Sequence, residues 1–147
     1  MKSTTLLAPL AGILLFGVQN STATCFGSWH SKWGQVGENS AIDFIYTACT
    51  QNGGMFTGYY DPGQTKSMCP VDGEGKNLFF QVQNLNNGAG FDLADGDCVQ
   101  RLTNEIRGCQ QGGESSVSGW RFRLVVFFLL THCGVLTSLG SAEPNGC

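Results

Sequence analysis

The sequence predicts a single domain of the α+β class, a helix followed by an antiparallel meander of strands, a second helix and a closing strand, held by a disulfide staple. Three observations predict it. Two windows carry apolar residues at helical spacing. Short alternating runs between them are punctuated by turn residues. Six cysteines are spread through polar, Gly-rich text.

Residues 1–23 read as an export signal. Lys2 is followed by an apolar stretch from Leu6 to Val18 and then by small Ser21 and Ala23, so cleavage is expected after Ala23. Residues 24–147 are then one secreted, extracellular domain of 124 residues, with 7 Lys and Arg against 11 acids and a net charge of −4. That balance lacks the clustered cations that neutralise phosphate, so nucleic acid and anionic membrane surfaces are not expected partners. The apolar run at Leu124 breaks at Thr131 and His132, far short of the roughly 18 to 20 residues that span a bilayer.

The elements follow in order. TCFGSWHSKWGQVG has no clean period and reads as a short strand plus loop. In NSAIDFIYTACTQNGG, Ile42, Ile45, Tyr46 and Cys49 fall at i, i+3, i+4 and i+7, with Asn39 or Ser40 as N-cap and Gly53 as terminator, which predicts the first helix. MFTGYYD and KSMCPVD flank a turn at Pro62-Gly63, and a second turn at Gly73-Glu74-Gly75 leads into NLFFQVQNL. There Leu78, Phe80 and Val82 alternate with Phe79, Gln81 and Gln83, giving a strand with one apolar and one mixed face. Such short connections make antiparallel neighbours. After the loop NNGAG, FDLAD is a short strand. The second helix starts from an Asp97–Gln100 capping pair, carries Val99, Leu102 and Ile106 on one face, and is closed by Gly112-Gly113. SSVSGWRFR reads as one closing strand with Trp120 and Phe122 inward and Arg121 and Arg123 outward.

Cys25, Cys49, Cys69, Cys98, Cys109 and Cys147 form the disulfide set, with 15 connectivities open. One pair is excluded. Cys98 and Cys109 stand at opposite ends of the second helix, roughly 16 Å apart, beyond the reach of a disulfide. The seventh, Cys133, belongs to a different kind of text. From Leu124 to Gly140 the chain is mostly aliphatic with no Asp, Glu, Lys or Arg, and joining its flanks gives GWRFRSAEPNGC, a strand running into a polar tail. Residues 124–140 are therefore expected to be an insertion translated from an unspliced short intron of fungal type. The other reading is a buried strand with a packed thiol.

Catalysis is not expected and no catalytic residue is assigned. No G-x-S-x-G occurs, and His30 is the one histidine outside the 124–140 stretch, which leaves a small hydrolase or ribonuclease poorly provisioned. Asp92, Asp95 and Asp97 could be sought as paired carboxylates, but Asp97 is more simply a cap, and EF-hand spacing is absent. No CxxC pair occurs, and neither a metal nor a cofactor is expected. The inventory suits carbohydrate better, because flat aromatic faces stack on sugar rings while Asn, Gln, Asp and Arg bond hydroxyls. The candidates are Trp29, Trp33, Tyr59, Tyr60, Asp61, Gln81, Gln83, Asn86, Asn87 and Arg121. A secreted effector or inhibitor that binds a host or competitor protein is the alternative.

A cysteine just after the signal, a Trp-bearing loop, the helix SAIDFIYTAC, the strand ending NLFFQVQN, the helix DCVQRLTNEIRGCQQGG and the tail AEPNGC together resemble a family. They are similar to the small secreted mushroom lectins typified by the ink-cap lectin that binds LacdiNAc-type glycans. The resemblance spans Cys25 to Arg123 and Ser141 to Cys147. It implies a sandwich with a five-stranded antiparallel sheet, glycans as ligands, and a homodimer formed through sheet edges with the pocket reaching the interface.

Overall fold

The computed structural model describes residues 23–27, 30–51 and 53–127, apart from the side chains at 35 and 36. The elements are β1 (Thr24–Cys25), α1 (Gly34–Thr50), β2 (Gly58–Tyr60), β3 (Thr65–Met68), β4 (Asn77–Asn84), β5 (Phe91–Leu93), α2 (Asp95–Gly108), β6 (Gly112–Val117) and β7 (Trp120–Phe127). Five strands form one antiparallel sheet in the order β1-β6-β7-β4-β3, and β2 pairs with β5 in a separate antiparallel ribbon. The class is α+β, as the sequence predicts.

The alternation in β4 orients the sheet. Leu78, Phe80 and Val82 are buried with Phe122, Leu124 and Val126 of β7 against Ala41, Ile45 and Ala48 of α1 and Leu102 and Ile106 of α2. Both helices therefore cover one face. Residues directly opposite in an antiparallel ladder share a face, so the Gln83–Arg121 and Gln81–Arg123 pairs lie on the other side. Arg123 extends there over the Phe26 ring, 5.4 Å from its centroid, and pairs with Glu114. His30 packs between Phe26 and Phe127 at ring distances of 5.2 and 5.7 Å.

Disulfides join Cys25 to Cys109 and Cys49 to Cys98, so each end of α2 is tied elsewhere, as its length requires. The closed loops separate their cysteines by 84 and 49 residues. On the chain-entropy account, loops of that size each stabilise the fold by about 4 kcal/mol. Cys69 is disulfide-bonded as well, and Cys133 and Cys147 lie outside the described residues.

Two sequence expectations change. First, α1 begins at Gly34, not near Asn39, and α2 at Asp95, with neither helix capped by a side chain. Asp95 and Asp97 instead sit in the first turn of α2, where the helix dipole favours negative charge, so the Asp97–Gln100 capping pair is replaced by a dipole interaction. Second, SSVSGWRFR is not one strand. Ser118 and Gly119 have φ of 51° and 83° and make the two-residue turn between β6 and β7, and Gly112-Gly113 opens β6 where it was expected to close α2. The change of composition at Leu124 falls within β7, where Leu124, Val125 and Val126 are wholly buried opposite Phe80, Phe79 and Leu78. Residues 128–140 lie outside the described residues.

Candidate functional site

Asn84 continues the inward row of β4 after Val82 and is wholly buried. An amide in that position must find partners, because an orphaned buried polar group costs about 1 to 3 kcal/mol. It finds four. Nδ2 donates to the carbonyls of Asp61 and Ala89, each at 3.1 Å, while Oδ1 accepts from the backbone N–H and the Nδ2 of Asn86, each at 3.0 Å. One side chain thereby ties the turn after β2 to the loop between β4 and β5. Asn86 carries the link onward, its Nδ2 reaching the Gly119 carbonyl at 3.4 Å, and backbone bonds from Gly63 to Asn86 and from Leu85 to Gly119 close the set.

Four of the predicted residues gather on this platform. Asp61 and Asn87 are exposed, Asn86 is half-buried, and Tyr59 is 57 % exposed. Tyr59 lies beside Asp92 across the β2–β5 ribbon and passes directly over Gly90, where a Cβ would collide with its hydroxyl. Glycine is thus the one residue type at position 90 that lets the ring lie down. Gln83, Gln81 and Arg121 stand next to the platform on the helix-free sheet face. Gln83 Nε2 donates to the Gly63 carbonyl at 3.3 Å, and Arg121 Nη2 donates to Gln81 Oε1 at 3.1 Å.

The remaining aromatics separate from this group. Tyr60 is wholly buried, its hydroxyl donating to the Phe56 carbonyl at 2.8 Å, with Lys66 over its ring and Trp120 edge-on to it. Burial holds that hydroxyl protonated well above the ordinary tyrosine range. Trp33 is 3 % exposed, and its Nε1 donates to the Cys109 carbonyl at 2.8 Å. Both are core residues and leave the candidate surface. Trp29 lies outside the described residues.

A second buried polar centre lies on α2. Glu105 is 2 % exposed and borders a cleft of about 610 Å³ with Ala23, Arg101, Asn104, Arg107, Gly108 and Ser115. Its Oε2 has no hydrogen-bond partner. Burial raises its pKa, a hydrogen bond from Ser115 draws it back, and the charge of Glu114 raises it further.

Sequence reading missed both buried centres. The signal for Asn84 was present, since an amide at the next inward position of an apolar row is out of place unless it bonds something. Glu105 was hidden because glutamate is ordinary on a helix. Among the described residues no three His, Cys, Asp or Glu side chains gather as a metal site, and no helix is long and apolar enough to cross a membrane. No protein-family model matches the chain, and no curated protein or solved structure matches it either, so any functional reading rests on the chemistry of these residues.

Proposed function

We propose that the protein is a secreted glycan-binding protein whose sugar site is the Asn84-braced platform. The observation that carries this reading is Tyr59, a ring left more than half exposed on β2 opposite Asp92 and two residues from Asp61, next to loops fixed by a satisfied buried amide. A sugar offers an apolar ring face and a fringe of hydroxyls. Tyr59 meets the first by stacking, and the carboxylates and the Asn87 amide meet the second. Because the loops are braced before ligand arrives, little ordering cost opposes binding. The two disulfides are compatible with an extracellular setting.

A homodimer through sheet edges fits the strand order. β1 has two residues, whereas β3 is a terminal strand of four. The Asn84 N–H bonds the Gln64 carbonyl, so the alternation of an antiparallel ladder turns the backbone groups of Thr65 and Ser67 away from β4 and toward the open edge.

A glycan array with free-sugar competition tests the reading. Saturable, competable binding that Tyr59→Ala abolishes is expected. Silence across a broad array, or binding indifferent to Tyr59→Ala and Asp61→Asn, would sink it and favour a protein ligand.

A further inference from the structure

Glu105 is a carboxyl group held out of water with one oxygen unanswered. Arg101 and Arg107 border the same cleft, yet neither bonds that oxygen. Glu114 on neighbouring β6 shows the contrast, since it faces the other side of the sheet and pairs with Arg123. Ser115 answers part of this carboxyl group, but a buried carboxylate oxygen left without a donor is costly, so a cation or a donor that completes it would be strongly favoured.

The nearest backbone is that of β1. Thr24 is opposite Glu114 and Cys25 opposite Gly113, and Ala23 borders the cleft itself. A Cβ placed on Gly113 would stand 3.1 Å from Glu105 Oε2 and 3.1 Å from the Thr24 carbonyl oxygen, so those two atoms lie within about 6 Å of each other. The Ala23–Thr24 peptide bond is also where the leader sequence predicts cleavage.

We propose that hydrolysis of the Ala23–Thr24 bond makes the partner of Glu105, the α-ammonium of Thr24. A signal-processing peptidase adds water across the bond. Ala23 departs with a carboxylate, and the Thr24 amine takes up a proton, as an α-amino group of ordinary basicity does at neutral pH. Loss of Ala23 removes one residue lining the cleft and frees the new ammonium to turn toward Oε2. The bond joins the first residue of β1 to α2 close to the Cys25–Cys109 disulfide, which already holds the two segments together. Processing thus completes the polar interior of this corner and locks the sheet edge. The inference rests on export and cleavage, not on sugar binding, so the two readings fail separately.

The test compares the chain beginning at Thr24 with the same chain α-acetylated, by denaturant unfolding, and takes the natural N-terminus from the intact mass of the secreted protein. The secreted chain is expected to begin at Thr24. Acetylation is expected to shift the folded-to-unfolded ratio about tenfold toward the unfolded chain, an effect on the scale of one charge-assisted hydrogen bond. Glu105→Gln should erase most of that shift, and Glu114→Gln should leave it intact. A different N-terminus, no effect of acetylation, or an equal effect in Glu105→Gln would each overturn the proposal. If Glu105→Gln does not fold, NMR titration of the Thr24 amine in the wild-type chain replaces it. A pKa above the ordinary range of about 8 supports the pair, and an unshifted one refutes it.

Discussion

Asn84 and Glu105 are both buried polar side chains in the same small domain, yet one is bonded at every polar atom and the other leaves an oxygen bare. The satisfied group sits beneath exposed loops and holds them in one arrangement. The unsatisfied one sits beside a cleft at the sheet edge and is a place where something can be added. Interior polarity therefore has two different uses here, bracing a surface and holding an acceptor ready for charge.

The largest expected way to break this contrast is Asn84→Ala. It orphans the Ala89 carbonyl and the Asn86 backbone N–H, takes from the Asp61 carbonyl one of its two donors, the Gln64 N–H being the other, and should cost about 3 kcal/mol in a denaturant melt. It should also speed amide hydrogen exchange across residues 61–64 and 85–90. A loss below about 0.5 kcal/mol would show that the loops do not depend on the amide.

Next comes the pH response of Glu105. Its pKa is raised in the folded chain, so at pH below the unfolded value of 4.5 both states hold the proton and the group has no effect. As pH rises past 4.5 the unfolded chain releases its proton first, and stability falls until the folded value is passed. With Thr24 acetylated, this decline should be steeper than in the acetylated Glu105→Gln variant. Identical pH slopes in chemical melts would mean the carboxyl is not shielded as described.

Trp33→Phe sharpens the comparison at smaller scale. Removing the indole donor to the Cys109 carbonyl should cost about 1 kcal/mol and leave any glycan affinity unchanged. Ser67→Pro removes an outward N–H of β3 without touching the β4 ladder, so a dimer seen by sedimentation should become monomeric at little cost in stability. Tyr59→Ala has the smallest expected effect on folding, within about 0.5 kcal/mol, because its ring is largely in water. Its effect should appear in binding alone, as a loss of roughly tenfold or more by calorimetry.

Periodicity made much of this fold legible. The two apolar helical stripes and the alternation of Leu78, Phe80 and Val82 place the sheet against the helices, and the span of α2 excludes a Cys98–Cys109 bridge. The Ser118-Gly119 turn was missed because Ser-Gly inside a run rich in strand formers passed as part of one strand, although both residues take positive φ. The helix starts were missed because both helices begin without a side-chain cap. The candidate site was legible only in part. Tyr59 and Tyr60 are adjacent in sequence, but a strand sends them to opposite faces, and composition alone cannot say which ring reaches water. Trp33 posed the same problem, and its burial follows from the start of α1, which sequence reading placed too late.

The strand order also constrains when this sheet can form. Of the described strands β1 is the first to leave a ribosome, yet its neighbour is β6, on the far side of both helices in the chain. Closing that pair means spanning most of the domain, and long closures are slow. The N-terminal strand therefore waits, unpaired, until β6 has emerged. The hairpin of β6 and β7 can assemble first, so the amino end of this protein is the last edge to be hemmed.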